Sequence, residues 1–218
     1  MTAAPLGNDN RANNVWLRAK NAYDHYLTYL DSKADKYSLS FVDLIYVKNF
    51  KGGSSVISEP INGFAEKIKK YEGEIRELQS LLGSQNSLGG LDESDFIKIK
   101  PKIVAFSSMA TIENTRIKGF GPSFSSALLH FYFPNIVPIL DRRALNGAGI
   151  SGLDVNNQGQ VTNMMDKYPE LINYFRKRMK GNIKIELRDI DQELFRIPLG
   201  HEFGRKKVKS SSEGDFAA

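Results

Sequence analysis

Cysteine is absent from this chain. That excludes disulfides, iron–sulfur clusters and thiolate zinc sites. Histidine is scarce. His25, His130 and His201 are the three, spaced too widely for a metal-binding motif, so no metal and no cofactor are expected. No run of about 18 apolar residues occurs, so no membrane span is expected. Met1 to Asn14 is small and polar with no apolar stretch, which does not fit a signal peptide. A cytoplasmic monomer is the expectation. Strand-like alternation is nearly missing too. Only Ile183 to Leu187 alternates, and nothing nearby could pair with it.

What is present suffices for a folded core. The 218 residues are 41% hydrophobic, 25% charged and 11% aromatic, which rules out wholesale disorder. A net charge of +5 permits a polyanionic partner without requiring one. The apolar pattern is helical. Trp16, Ala19, Tyr23, Tyr26, Leu27 and Leu30 recur at three- and four-residue steps. Phe41, Leu44 and Ile45 open a second helix, which runs to Lys51 and stops at Gly52-Gly53. Phe64, Ile68, Tyr71, Ile75, Leu78 and Leu82 form the cleanest stripe. Asp92 to Ile99 read as a short helix, with Pro101 in the first turn of the next. Further helices are centred on Phe124 to Phe131, Leu171 to Met179 and Ile190 to Phe195. The fold class is all-α. Residues 1–204 form the domain, and 205–218, basic and serine-rich, form a disordered tail.

The chemically informative stretch is Ile117-Lys118-Gly119-Phe120-Gly121-Pro122-Ser123. An apolar residue, Gly-x-Gly, and a helix opening on Pro and Ser make a tight hairpin leading into a helix. Hairpin N–H groups and the helix N-terminus then point the same way, toward a phosphate. A plain glycine turn between packed helices is the alternative. Twenty residues past Gly121 comes Ile139-Leu140-Asp141-Arg142-Arg143. Asp141 is also well placed as a helix N-cap.

Hairpin and Asp together resemble the helix-hairpin-helix (HhH-GPD) superfamily of DNA glycosylases, most strongly over Ile99 to Leu145 and more weakly back to Phe41. The hairpin spans about 111–133. The resemblance implies a two-lobed helical fold, a double-stranded DNA partner carrying a modified or damaged base, and base flipping. It makes Asp141 the catalytic carboxylate, beside the oxocarbenium charge that develops on the sugar. The family's lyase members carry a lysine where Ser123 stands. The expectation is therefore a monofunctional enzyme that leaves an abasic site and an intact strand. The overall likeness extends to defence glycosylases acting on phage DNA with hypermodified cytosines such as glucosylated hydroxymethylcytosine.

Other DNA contacts follow from that frame. Lys118, Gly119, Phe120, Gly121 and Ser123 would meet the backbone, with Arg142 and Arg143 as phosphate clamps. Lys48, Asn49, Phe50 and Lys51 stand where the strand-probing loop should lie, with Phe50 as wedge and Asn49 facing the orphaned base. Asp43 is a candidate second acid. Trp16 and Tyr132 are candidate pocket aromatics, although a stripe at helical spacing more often builds core. His130 reads as a buried, hydrogen-bonded residue. A non-catalytic hairpin-type DNA-binding or adaptor protein would need the hairpin but not Asp141.

Overall fold

The computed structural model describes residues 9–52, 56–182 and 185–199, with side chains from Trp16 onward. The expected tail at 205–218, His201, Gly53 and the start of the Ile183 to Leu187 run lie outside the described residues. Among the described residues eight α-helices follow one another: α1 (Asp9–Ser32), α2 (Phe41–Lys51), α3 (Ile61–Leu82), α4 (Glu93–Ser108), α5 (Pro122–Tyr132), α6 (Arg142–Gly147), α7 (Met164–Met179) and α8 (Leu187–Arg196). Among the described residues, β pairing is limited to two isolated bridges, Ile117 with Phe120 and Val155 with Val161. The all-α reading holds. No described helix is long and apolar enough to cross a membrane.

The stripes face inward as their spacing requires. Ala22, Tyr26 and Leu30 of α1 are buried, as are Ile68, Tyr71, Ile75, Leu78 and Leu82 of α3. α5 is the hub. Every residue from Ser125 to Tyr132 is buried, which is how a helix surrounded by others must be built. Its two buried serines are satisfied internally: the Ser125 hydroxyl donates to the Phe106 carbonyl at 3.2 Å, and the Ser126 hydroxyl to the Ser123 carbonyl at 3.1 Å. α1, α2 and α4 pack against this hub or each other, and α6 packs against α8 and α7.

Two departures from the sequence reading have physical reasons. Glu93 to Ser108 is one helix, not two, with Pro101 inside it. The carbonyl that proline leaves without a donor belongs to Ile97, a solvent-exposed residue, so the missing bond lies at the surface rather than in the core. Asp92 caps the helix by accepting the Asp95 N–H at 2.8 Å. Asp43 is the second departure, and it is a structural anchor. Fully buried, it accepts from Ser40 N–H at 2.8 Å, Ser40 hydroxyl at 2.9 Å, Lys33 at 2.9 Å and Tyr26 hydroxyl at 3.0 Å. It ties the start of α2 to α1 and lines neither of the two cavities that meet at Asp141.

Candidate active site

Asp141 follows a stretch held from two helices. Two of the three residues before it are tied by side chains. Tyr168 of α7 donates its hydroxyl to the Pro138 carbonyl at 2.6 Å. Ser126 of α5 accepts the Leu140 N–H at 2.9 Å. One residue earlier still, the His130 ring lies 2.7 Å from the Val137 carbonyl through Nδ1. Burial pushes His130 down to about 3, so the ring is neutral and Nδ1–H is the donor. The expectation of a buried structural histidine holds.

Asp141 is the N-cap of α6. Oδ1 accepts the Arg143 N–H at 2.8 Å. Oδ2 lies 2.5 Å from Lys51 Nζ at the end of α2. Burial alone would raise this carboxyl. The Lys51 charge and hydrogen bond, with the Arg143 N–H, more than offset it and hold the group below its ordinary value. Asp141 is therefore an anion at neutral pH with its side chain still 29% exposed.

Two cavities meet at this carboxylate. The first, about 560 Å³, is walled by α1, the end of α2, and α8, including Trp16, Asn49, Phe50, Lys51, Arg188 and Asp191. The second, about 570 Å³, lies toward the hairpin helix and includes Ser123, Arg142 and Gln158. The two arginines after Asp141 part company here. Arg142 faces the second cavity and donates to the Gly159 carbonyl at 2.7 Å. Arg143 faces the first, donates to the Phe195 carbonyl at 3.3 Å and lies 4.5 Å from the centre of the Phe195 ring. Each is already fixed by a carbonyl rather than by a carboxylate.

α8 supplies what sequence reasoning missed. Arg188 pairs with Asp191 one turn on, both largely buried. Its guanidinium lies over the rings of Trp16 at 4.4 Å, Tyr23 at 5.0 Å and Phe50 at 5.3 Å. Burial raises the Asp191 carboxyl; Arg188 opposes this and the Asp141 charge adds to it. So the cavity holds two carboxylates displaced in opposite directions. The amphipathic spacing of Leu187, Ile190 and Leu194 was the available signal, since it puts Arg188 and Asp191 beside the buried face. α8 reaches this position because Gly147 of α6 has no side chain: a Cβ there would come within 2.8 Å of the Leu194 carbonyl oxygen.

The other expected positions divide. Trp16 lines the first cavity, as do Asn49 and Lys51. Phe50 also lines it but is no free wedge. It is buried in the last turn of α2, packed against Phe131 at 5.2 Å and Tyr23 at 5.7 Å. Lys48, half-buried, lies in the same helical turn, and its carbonyl accepts the Gly52 N–H at 2.9 Å. Thus Lys48 to Lys51 end a helix rather than form a loop. Tyr132 is a core residue. It is buried and stacks on Tyr37 at 5.9 Å, away from both cavities.

The hairpin forms, with Phe120 N–H donating to the Ile117 carbonyl at 3.0 Å and Gly119 at φ +84°. Its outer side is partly covered by the chain itself. Glu59 accepts the Lys118 N–H at 3.0 Å, and the Lys118 carbonyl accepts Ser58 N–H at 3.0 Å. Lys67 holds Glu59 in place at 2.5 Å and keeps its carboxyl below the usual range. A Cβ on Gly119 would sit 1.8 Å from the Val56 carbonyl oxygen. Gly119 thus admits residues 56–59, not a DNA backbone, and Phe120 is buried. Gly121 remains open, with nothing within 4 Å of a would-be Cβ, and Ser123 faces the second cavity. The phosphate face that sequence suggested is narrowed to Gly121, Ser123 and the exposed Lys118 side chain.

Among the described residues no three His, Asp or Glu side chains gather as a metal site. Comparison with models of known families, with curated proteins and with solved structures finds no match to this chain.

Proposed function

We propose that this chain is a DNA glycosylase of the two-lobed helix-hairpin-helix kind. It takes a flipped nucleotide into the first cavity, between α1 and α8, and hydrolyses its base–sugar bond. The observation that carries the reading is Asp141: an ionised carboxylate, rigidly held at a helix start, at the junction of two cavities and one helix away from a Gly-x-Gly hairpin. Cleaving an N-glycosidic bond builds positive charge on the sugar, and a preorganised anion lowers that barrier. Water is the nucleophile for base release, and no cofactor is needed.

The cavity supports a base as its occupant. Trp16 and Phe195 put aromatic rings into its lining, and Asn49 an amide for hydrogen bonding. At about 560 Å³ the space falls within the range of roughly 300–1,000 Å³ that small-molecule sites occupy. That is room for a base with a bulky substituent, consistent with a role against DNA with hypermodified bases. Gly121, Ser123 and Arg142 on the hairpin side are placed to follow the backbone.

The test is release of free base from a panel of duplexes, each with one kind of modified or damaged base, read by mass spectrometry. Release from at least one duplex, lost in Asp141→Asn, is the expected result. A folded protein that binds duplex and releases nothing from the panel turns the reading into the non-catalytic one.

A further inference from the structure

Between α6 and α7 the chain folds back on itself at Asp154 to Thr162. The Asn156 N–H donates to the Gln160 carbonyl at 2.9 Å, the Thr162 N–H donates to the Asp154 carbonyl at 2.8 Å, and Val155 bridges Val161. Asn156 closes the tip: its Oδ1 accepts the N–H groups of Gln158 and Gln160, each at 3.0 Å. Gly159 turns at φ +72° and is buried, and its carbonyl accepts Arg142 at 2.7 Å. Arg142 directly follows Asp141, so the turn is fastened to the helix that the carboxylate caps.

Holding a surface turn in one shape costs conformational entropy. Here it fixes two side chains. Gln158 and Gln160 are both exposed, and both line the second cavity with Ser123 and Asp141. Gln160 gives its amide oxygen to Asn156 Nδ2 at 3.1 Å, which leaves its own NH2 as a donor. Among the described residues nothing bonds the Gln158 amide, which keeps a donor and an acceptor side by side. Neither side chain is charged. A phosphate is met best by a cation such as Arg or Lys, whereas an amide matches the edge of a base.

We propose that Gln158 and Gln160 read the base pair next to the flipped nucleotide and give this protein a preference for sequence context. The inference rests on the glycosylase reading. With the target's sugar at Asp141 and its base in the first cavity, the strand continues over the second cavity, between Ser123 and the turn. The start of α5 takes the backbone there, and the glutamines face the neighbouring base. Adenine fits Gln158 best, since the amide can donate to N7 and accept from N6 at once. Gln160 adds a second donor.

The experiment uses the full chain and duplexes that carry one tetrahydrofuran abasic-site analogue, so that the target base need not be known. The base pair on each side of the analogue is varied through every choice. Affinity is read by fluorescence anisotropy at one fixed salt concentration. The parent should favour adenine on one side of the analogue by roughly fivefold or more. Gln158→Ala should flatten that preference and leave affinity for the least favoured duplex unchanged. Asn157→Ala, at an exposed position of the same turn outside the cavity lining, should keep the parent's preference. Both variants should melt with the parent, because the bond from residue 158 to Asn156 comes from its backbone. A parent without preference overturns the inference. So does a Gln158→Ala loss that is equal on every duplex, which would make the contact one to phosphate. Base release is scored separately on the modified panel. Base release without a neighbour preference removes the role of the turn alone. A preference that Gln158→Ala abolishes, with no base release, keeps the turn as a DNA reader and removes the glycosylase reading.

Discussion

The Arg188 guanidinium lies 4.4 Å from the centre of the Trp16 ring while it pairs with Asp191 on the next turn of α8. One side chain therefore joins the first helix to the last across the cavity, and it does so as a buried charge. Such pairs are costly to break from one side. Asp191→Ala should destabilise the protein by about 3–5 kcal/mol in urea unfolding, because Arg188 is left uncompensated. The double variant Arg188→Met with Asp191→Leu should recover much of that loss. A single-variant cost below about 1 kcal/mol would mean that solvent already reaches the pair.

Asp141→Asn keeps a capping oxygen but removes the anion. Single-turnover base release should slow by about a hundred- to a thousandfold, equivalent to roughly 3–4 kcal/mol of transition-state stabilisation. The melting temperature should fall modestly: asparagine caps about as well as aspartate, but Lys51 loses its charged partner. A melting temperature that collapses alongside near-normal release would make Asp141 a structural residue only.

The two hairpin glycines should behave differently. Gly119→Ala puts a side chain at φ +84° and against the Val56 carbonyl, and should cost about 1–3 kcal/mol or more of stability. Gly121→Leu meets open space at φ −81°. It should fold normally and weaken binding to any duplex, with an affinity that falls as salt rises. Equal duplex binding by folded Gly121→Leu and the parent would show that this end of α5 is not an anchor for DNA.

His130 sets an acid limit. It is neutral in the folded protein, with its affinity for protons pushed down to about 3. The unfolded chain binds a proton on this ring below its ordinary value. Stability is therefore full above pH of about 6.5 and drops by about 1.4 kcal/mol per unit as pH falls below it. Denaturant midpoints between pH 6.5 and 5 should shift more in the wild type than in His130→Gln, which lacks this titration. Parallel curves would show that the ring is protonated in the folded state.

Local patterns were readable in advance and distant partnerships were not. The α3 stripe, the hairpin and Asp141 as a helix N-cap each depend on residues within a few turns of one another. Lys51 and Asp141 lie on different helices far apart in sequence, and nothing in either neighbourhood announces the pairing. The same holds for Asp43. Its role as anchor comes from Tyr26 and Lys33 on α1, whereas its spacing along α2 suggested an acid near DNA. Phe50 followed a glycine-rich cue that marked a helix end, and its ring went to the core. Pro101 was read as a helix start because proline is at home there, yet one exposed carbonyl was enough to let the helix run through it.

The first cavity takes one wall from α1 and another from α8, with the Trp16 and Phe195 rings 5.5 Å apart. During synthesis the hairpin and Asp141 emerge before α8 does. A ribosome-bound chain halted after α7 would therefore carry the carboxylate without one of the cavity's walls, and the cavity is complete only when α8 docks.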